Sequence, residues 1–322
     1  MRLLIGLEEY PLDPLRALLP GWEVFQSSPA GFAEMADGMD VVTPIAAKVD
    51  ANLLSRATFG FVQQFGVGLE TVDVDAATAA GVWVARLPGD VTGNADAVAE
   101  QAILLTLALS RQLDEARQAL RERKWAQPAG RSLSGGTVAI IGLGAIGLAV
   151  AKRLAPWGTR LVAVRARPEL GGPPEIDRVV GADRLTEVLA EADVVISALM
   201  FGEHNRNFFD AGAFAAMKPG ALFVNVARGG LVDEAALVAA LDSGHIAGAG
   251  LDVLAVEPAD PGNPLVNHPK VIATPHVGGV TQQVLFNSMI ALTDNIKRYA
   301  AGEPLLWTVN EPSQVAQRRP QG

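Results

Sequence analysis

Short apolar runs alternate with helix-like stretches along the whole chain, and that alternation leaves few folds open. MRLLIGL, WEVFQ, MDVVTP, FGFVQQFG and VWVARLP read as strands within residues 1–88, with helix-like segments at Pro14–Leu19, Val49–Ala57 and Val74–Ala80 between them. Parallel neighbours cannot be joined by a tight turn, so strands spaced by helix-prone segments predict βαβ units. A second series follows the GRSLSGG loop. Its strands are expected at Thr137–Gly142, Thr159–Arg165, Asp193–Ala198, Ala221–Ala227, Ile246–Leu254 and Val271–Thr274. Its helices fit Ala145–Trp157, Arg184–Ala192, Asp210–Met217 and Asp233–Ser243. One helix, Asn94 to about Trp125, links the two series; its second half, RQLDEARQALRERK, reads as a solvated face. A last helix, about Thr281–Ala301, precedes the tail GEPLLWTVNEPS. The pattern predicts two α/β layers, one inserted into the other, with the tail returning to the first.

Composition narrows the class. With 322 residues, 49% hydrophobic and 19% charged, the chain is long and apolar enough for two globular domains. There is no cysteine, which excludes disulfides, thiolate metal sites and a cysteine nucleophile. A formal charge of −9 argues against binding nucleic acid through its phosphates. The longest apolar stretch, Ala95–Ser110, carries Asp96, Glu100 and Gln101 and is too short to span a bilayer. Leu3–Leu7 runs into Glu8-Glu9, unlike a secretory leader, so a cytoplasmic protein is expected, away from membranes and nucleic acid.

Gly142-Leu143-Gly144-Ala145-Ile146-Gly147 fits G-x-G-x-x-G. The strand TVAII feeds the first glycine and the helix LAVAKRLAPW opens at the last, which is the context that makes the pattern meaningful. Such a loop turns tightly, brings backbone N–H groups close to a pyrophosphate, and aims a helix N-terminus at it. At the end of the next strand, where an acidic residue would accept from a ribose 2′-hydroxyl, stands Arg165, with Arg167 close behind. A guanidinium suits a 2′-phosphate, so NADP(H) is favoured and NAD(H) is the alternative.

MKPGALFVNVARGGLVDEAAL (217–237), GAGLDVLAVEP (248–258) and ATPHVGG (273–279) complete a set with FGVGLETVD (65–73) and NADAVAE (94–100). In order and spacing these motifs resemble the D-isomer-specific 2-hydroxyacid dehydrogenase family, whose members include glyoxylate/hydroxypyruvate reductases and phosphoglycerate dehydrogenases. The resemblance implies a Rossmann cofactor domain (98–284) inserted into a flavodoxin-like substrate domain (1–97 and 285–322), a cleft site, and a homodimer. It makes Arg228 the binder of the substrate carboxylate and carbonyl, Glu257 the partner of the histidine, and His276 the acid/base. Gly66, Val67 and Gly68 correspond to backbone that touches the carboxylate; Val226, Ala227, Asp252 and Gly278 fall on the nicotinamide side. Ala198-Leu199-Met200 replaces the family's usual H-x-P, and Ala95 stands where a threonine is common.

Reducing a 2-keto acid needs a hydride to C2, a proton to the carbonyl oxygen and a fixed carboxylate. Arg228, Glu257 and His276 each follow an expected parallel strand, at the end where open α/β sheets bind ligands. A carboxylate beside an imidazole keeps it protonated at neutral pH. The remaining histidines of four, His204, His245 and His268, read as surface or capping residues, and none has metal-ligand spacing. No metal is expected. A pocket near Ile45–Lys48, Val67–Leu69 and Leu285–Met289 would select the 2-keto or 2-hydroxy acid. The rival reading is a dinucleotide-sensing, co-repressor-like binding protein.

Overall fold

The computed structural model describes residues 1–313. The chain forms two compact units, one of Met1–Gly93 together with the segment from Gln282 onward, the other of Asn94–Thr281.

In the first unit β1 (Arg2–Ile5), β2 (Glu23–Gln26), β3 (Val41–Thr43), β4 (Phe61–Gln63) and β5 (Trp83–Ala85) form one parallel sheet in the order β2-β1-β3-β4-β5. Alternating side chains cover both faces. Leu4, Val42, Val62 and Val84 pack on Phe32, Leu53 and Phe59, while Leu3, Ile5, Val41 and Phe61 pack on Leu15, Leu292 and Ile296. Asp50 and Asp73 cap their helices by accepting from Leu53 and Ala76 N–H, each cap worth about 1 kcal/mol. The last helix, Gln282–Ala301, is fastened by a buried amide pair: Asn295 donates to Gln63 Oε1 at 2.6 Å and exchanges two hydrogen bonds with the Leu306 backbone. The tail then lies along β5, where Asn310 accepts from Val84 N–H and donates to Val82 O and Thr78 Oγ1.

The second unit holds a seven-stranded parallel sheet: β6 (Thr137–Ile141), β7 (Arg160–Val164), β8 (Arg178–Val180), β9 (Val194–Ser197), β10 (Ala221–Asn225), β11 (Ile246–Leu251) and β12 (Val271–Ala273). Their order is β8-β7-β6-β9-β10-β11-β12, a doubly wound Rossmann arrangement whose direction of winding reverses between β6 and β9. Two apolar clusters, one per face, make strands such as β9 and β10 buried along their whole length.

Two expectations need correction here. β8 is an edge strand of three residues that pairs only with β7; RVV is too short to stand out as a run. The long linking helix is two helices, Asn94–Ser110 and Leu113–Arg121, broken where Gln112 turns left-handed (φ 50°). The first packs on β10, β11 and β12; the second buries only Ala119, and residues 122–127 are all exposed. Among the described residues no helix is long and apolar enough to cross a membrane.

Candidate active site

Three adjacent strands, β10, β11 and β12, each deliver one residue of the expected triad from their carboxyl ends. His276 lies just beyond β12 in a left-handed conformation (φ 54°), a strain of about 1–3 kcal/mol for a non-glycine residue. Asp252, 2% exposed at the end of β11, is the template that holds it there. Its carbonyl accepts from His276 N–H at 2.8 Å. Its carboxylate accepts from Thr274 Oγ1 (2.6 Å), Val277 N–H (3.0 Å) and Gly278 N–H (2.8 Å). Gln101 braces the assembly from the helix Asn94–Ser110 by donating to Thr274 Oγ1 at 2.9 Å. The carboxylate that the resemblance puts on the nicotinamide side is thus engaged by the histidine's own turn, and so is the N–H of Gly278.

His276 Nδ1 meets Glu257 Oε2 at 2.7 Å, and Glu257 Oε1 accepts from Leu254 N–H at 3.0 Å. The Glu257 hydrogen bond raises the imidazole above its ordinary value; burial and the Arg228 charge oppose it, and Asp252 assists. Burial pushes the Glu257 carboxyl up, but the His276 hydrogen bond and charge outweigh it and hold the group below the usual carboxylate range. With Nδ1 committed to Glu257, Nε2 is the nitrogen left to face a reacting oxygen.

Arg228 follows β10 on a backbone fixed by Asn225, which accepts from Ala227 N–H (3.1 Å) and donates to the Arg228 carbonyl (3.0 Å). Arg228 Nη1 donates to Ala227 O. Gly229 beside it must lack a side chain, since a Cβ there would stand 1.9 Å from the Leu254 carbonyl carbon. Val226 and Ala227 are 4% exposed each, with their side chains in the two cores.

The glycine loop answers whether a dinucleotide fits. At Gly142 (φ 104°) a Cβ would meet the Ala198–Leu199 peptide at about 2.6 Å, and at Gly147 it would meet Gly142 O at 2.1 Å; the fold itself demands both glycines. A Cβ at Gly144 would meet nothing within 4 Å. Nothing in the protein forbids a side chain there, so the fold itself leaves room beside this glycine for a close approach from outside. The helix Ala145–Leu154 starts at this point without a side-chain cap, and helix N-terminal N–H groups left in this way suit an anion such as a phosphate. Residues and cradle fit the group.

Arg165 stands at the end of β7, partly buried, its Nη1 donating to Gly171 O at 2.7 Å. Arg167 is exposed, and its guanidinium makes no hydrogen bond or ion pair among the described residues. The segment Ala198-Leu199-Met200 runs on through Phe201, whose ring lies where a Gly230 Cβ would be, 2.9 Å away. In the other unit, Gly66–Gly68 follows β4; the Gly66 and Val67 carbonyls accept from Leu87 N–H and Arg86 Nη1. Buried Gln64 ties this loop to the one after β3, accepting from Phe65 and Ile45 N–H.

His268 departs from its surface reading. Its side chain is 9% exposed, between Asp242 Oδ1 (3.3 Å) and the Lys270 N–H, and it braces a loop. His245 bonds the Met217 carbonyl. No cluster of metal-ligating residues is found among the described residues. Sequence reading missed Asn225, Thr274 and Gln101. The first two sit inside the quoted motifs, and polar residues at a strand end were the signal; Gln101, on a helix in an otherwise apolar stretch, was recognisable only as a polar interruption.

Residues 103–278 match the family described as D-isomer specific 2-hydroxyacid dehydrogenase, NAD binding domain. The chain belongs to that family. A D-3-phosphoglycerate dehydrogenase of Mycobacterium bovis (strain ATCC BAA-935 / AF2122/97) is 40% identical over 261 residues, covering 80% of this chain and 48% of that protein. The chain therefore spans about half the length of the curated relatives it matches. Among solved structures, the TT0316 protein from Thermus thermophilus superposes with a TM-score of 0.83 at 31% identity, over 96% of this chain and 100% of that one. An NAD-dependent formate dehydrogenase from Staphylococcus aureus in complex with NAD gives 0.85 at 25% identity, over 98% and 100%. Such neighbours share the arrangement of a Rossmann domain inserted into a flavodoxin-like one.

Proposed function

We propose that the chain is an NAD(P)-dependent D-2-hydroxyacid dehydrogenase interconverting a small 2-keto acid and its D-2-hydroxy acid. The observation that carries this reading is the His276–Glu257 pair at 2.7 Å, formed beside the Arg228 loop at neighbouring strand ends. In reduction, His276 delivers a proton from Nε2 to the carbonyl oxygen, and Glu257 stabilises the imidazolium through Nδ1. Arg228 holds the carboxylate and polarises the carbonyl beside it. On the family resemblance, the backbone of Gly66, Val67 and Gly68 is assigned to contact with the substrate carboxylate. When bound, a nicotinamide dinucleotide supplies the hydride for C2. Gly142, Gly144, Ala145, Ile146 and Gly147 hold its pyrophosphate, while Val226, Ala227, Asp252 and Gly278 shape the nicotinamide side through their backbone and the turn they fix.

NADP(H) is the preferred cofactor in this reading, supported by two arginines at the β7 end where a carboxylate would repel a 2′-phosphate. A homodimer is supported by large apolar side chains left in water on the second unit, Trp125 at 91% and Leu120 at 77% exposed. The test is a steady-state screen of 2-keto acids, with formate oxidation alongside, using NADH/NAD and NADPH/NADP in parallel. Turnover of a 2-keto acid to the D-product is expected. Tight dinucleotide binding with no turnover of any substrate would overturn the enzyme in favour of a sensor.

A further inference from the structure

Glu234 is a carboxylate that the chemistry above leaves without a task. It begins the helix Glu234–Asp242, yet capping that helix falls to Asp233, which accepts from Ala236 N–H. Glu234 reaches instead to the loop after β11. Its Oε1 accepts from Ala255 N–H at 2.8 Å and its Oε2 from Asn263 Nδ2 at 3.0 Å. Asn263 is itself held, accepting from Leu265 N–H through Oδ1. One side chain thus staples both limbs of the loop that carries Glu257.

The staple acts on a peptide that matters. Gly229, next to Arg228, presses on the Leu254–Ala255 peptide from one side; its Cβ would stand 1.9 Å from the Leu254 carbonyl carbon and 2.3 Å from Ala255 N. Glu234 takes the N–H of that same peptide. The preceding N–H, of Leu254, donates to Glu257 Oε1. A segment that starts with Arg228 and ends with Glu234 therefore grips the Leu254–Glu257 turn at two points.

We propose that Glu234 is a positioning residue, which fixes the Leu254–Glu257 turn against the Arg228 loop and so sets the contact between Glu257 and His276. The proposal rests on the dehydrogenase reading only for its effect on turnover. The charged groups facing His276 are Glu257, Arg228 and Asp252, and Asp252 is locked by its own hydrogen bonds, so loosening the turn changes chiefly the Glu257 contact.

The test is an NMR titration of the His276 ring, assigned by loss of its signal in His276→Asn, in the wild type, Glu234→Ala and Glu234→Gln. Glu234→Ala should move the midpoint to lower pH by about half to one unit, because a weaker carboxylate contact raises the imidazole less. Glu234→Gln keeps an acceptor for Ala255 but offers a second donor to Asn263, so it should fall between the two. In 2-keto acid reduction, kcat for Glu234→Ala should drop about tenfold or more with the dinucleotide KM unchanged. An unmoved midpoint in Glu234→Ala overturns the proposal, whatever the melting temperature does. If that variant does not fold, Asn263→Ala removes one arm of the staple and must shift the midpoint the same way, by less; no shift there also overturns it. A wild type that reduces no 2-keto acid refutes the dehydrogenase reading, and the titration still decides the role of Glu234.

Discussion

The carboxyl ends of β10–β12 and those of β6–β7 belong to one sheet but are finished differently. At β10–β12 the protein completes its own geometry: Asp252 folds the His276 turn, Glu257 engages Nδ1, and Asn225 braces the Arg228 backbone. At β6–β7 it stops short. Gly144 opens on free space, the helix Ala145–Leu154 lacks a side-chain cap, and Arg167 is exposed. The difference separates groups that the protein's own hydrogen bonds hold in place from a surface that its own side chains leave open. Pre-organisation is where most of the catalytic advantage of fixed groups lies.

The comparison breaks most directly at His276. His276→Asn keeps a smaller polar side chain at the same place and leaves the β6–β7 corner untouched. Reductase kcat is expected to fall by about 10²–10⁴-fold while dinucleotide affinity, measured by fluorescence titration, stays within a factor of about two. A folded variant with near-wild-type kcat would mean that the β10–β12 corner does not carry the proton.

The glycine loop allows a sharper cut, because its glycines answer to different demands. Gly147→Ala drives a methyl to 2.1 Å from the Gly142 carbonyl and should destabilise the unit by about 1–3 kcal/mol or more, read as a lower Tm. Gly144→Ala meets no protein atom and should leave Tm unchanged while weakening dinucleotide binding about tenfold or more. If Gly144→Ala instead lowers Tm and spares binding, the open space beside it is not a phosphate cradle.

That division also tracks what the sequence disclosed. The strands were legible because each is a short apolar run between helix-prone segments; Arg228, Glu257 and His276 were singled out by the family resemblance, and each does lie beyond the carboxyl end of such a strand. β8 escaped because three residues at a sheet edge carry no periodicity, and the break at Gln112 because helix propensity persists through RQLDEAR after the core has ended. The braces were harder still. Gln101, Asn225 and Glu234 act by hydrogen bonds to residues distant in sequence or to backbone, and no spacing rule announces those. The resemblance singled out Asp252 for the nicotinamide side; the hydrogen bonds by which it holds the His276 turn show only in three dimensions.

Cofactor choice tests the open corner by itself. Arg165 already donates to the Gly171 carbonyl, and a guanidinium has further N–H groups to offer a 2′-phosphate. A charge-assisted contact of that kind contributes about 1.5–3 kcal/mol, or roughly 10–150-fold in affinity. Arg165→Asp combined with Arg167→Ala should shift the kcat/KM ratio toward NADH by that order. A wild type that favours NADH would show that the arginines serve the loop around Gly171 and not the ribose.

The smallest effect concerns the closed corner and depends on pH. With His276 as the proposed proton donor, the rate of reduction is expected to fall as pH rises through the imidazole's titration. Glu257 raises that titration above the ordinary histidine value, whereas burial and Arg228 both lower it. Glu257→Gln keeps a hydrogen-bond acceptor for Nδ1 but removes the charge, so the raising influence weakens while burial and Arg228 still lower the titration. The alkaline limb of kcat/KM for reduction should therefore move to lower pH. Alcohol oxidation needs the neutral imidazole, so its acid limb should move in the same direction and the variant should gain relative rate at low pH. Paired pH profiles in the two directions check this. A limb that stays in place, or moves to higher pH, would show that the carboxylate orients the ring without setting its charge.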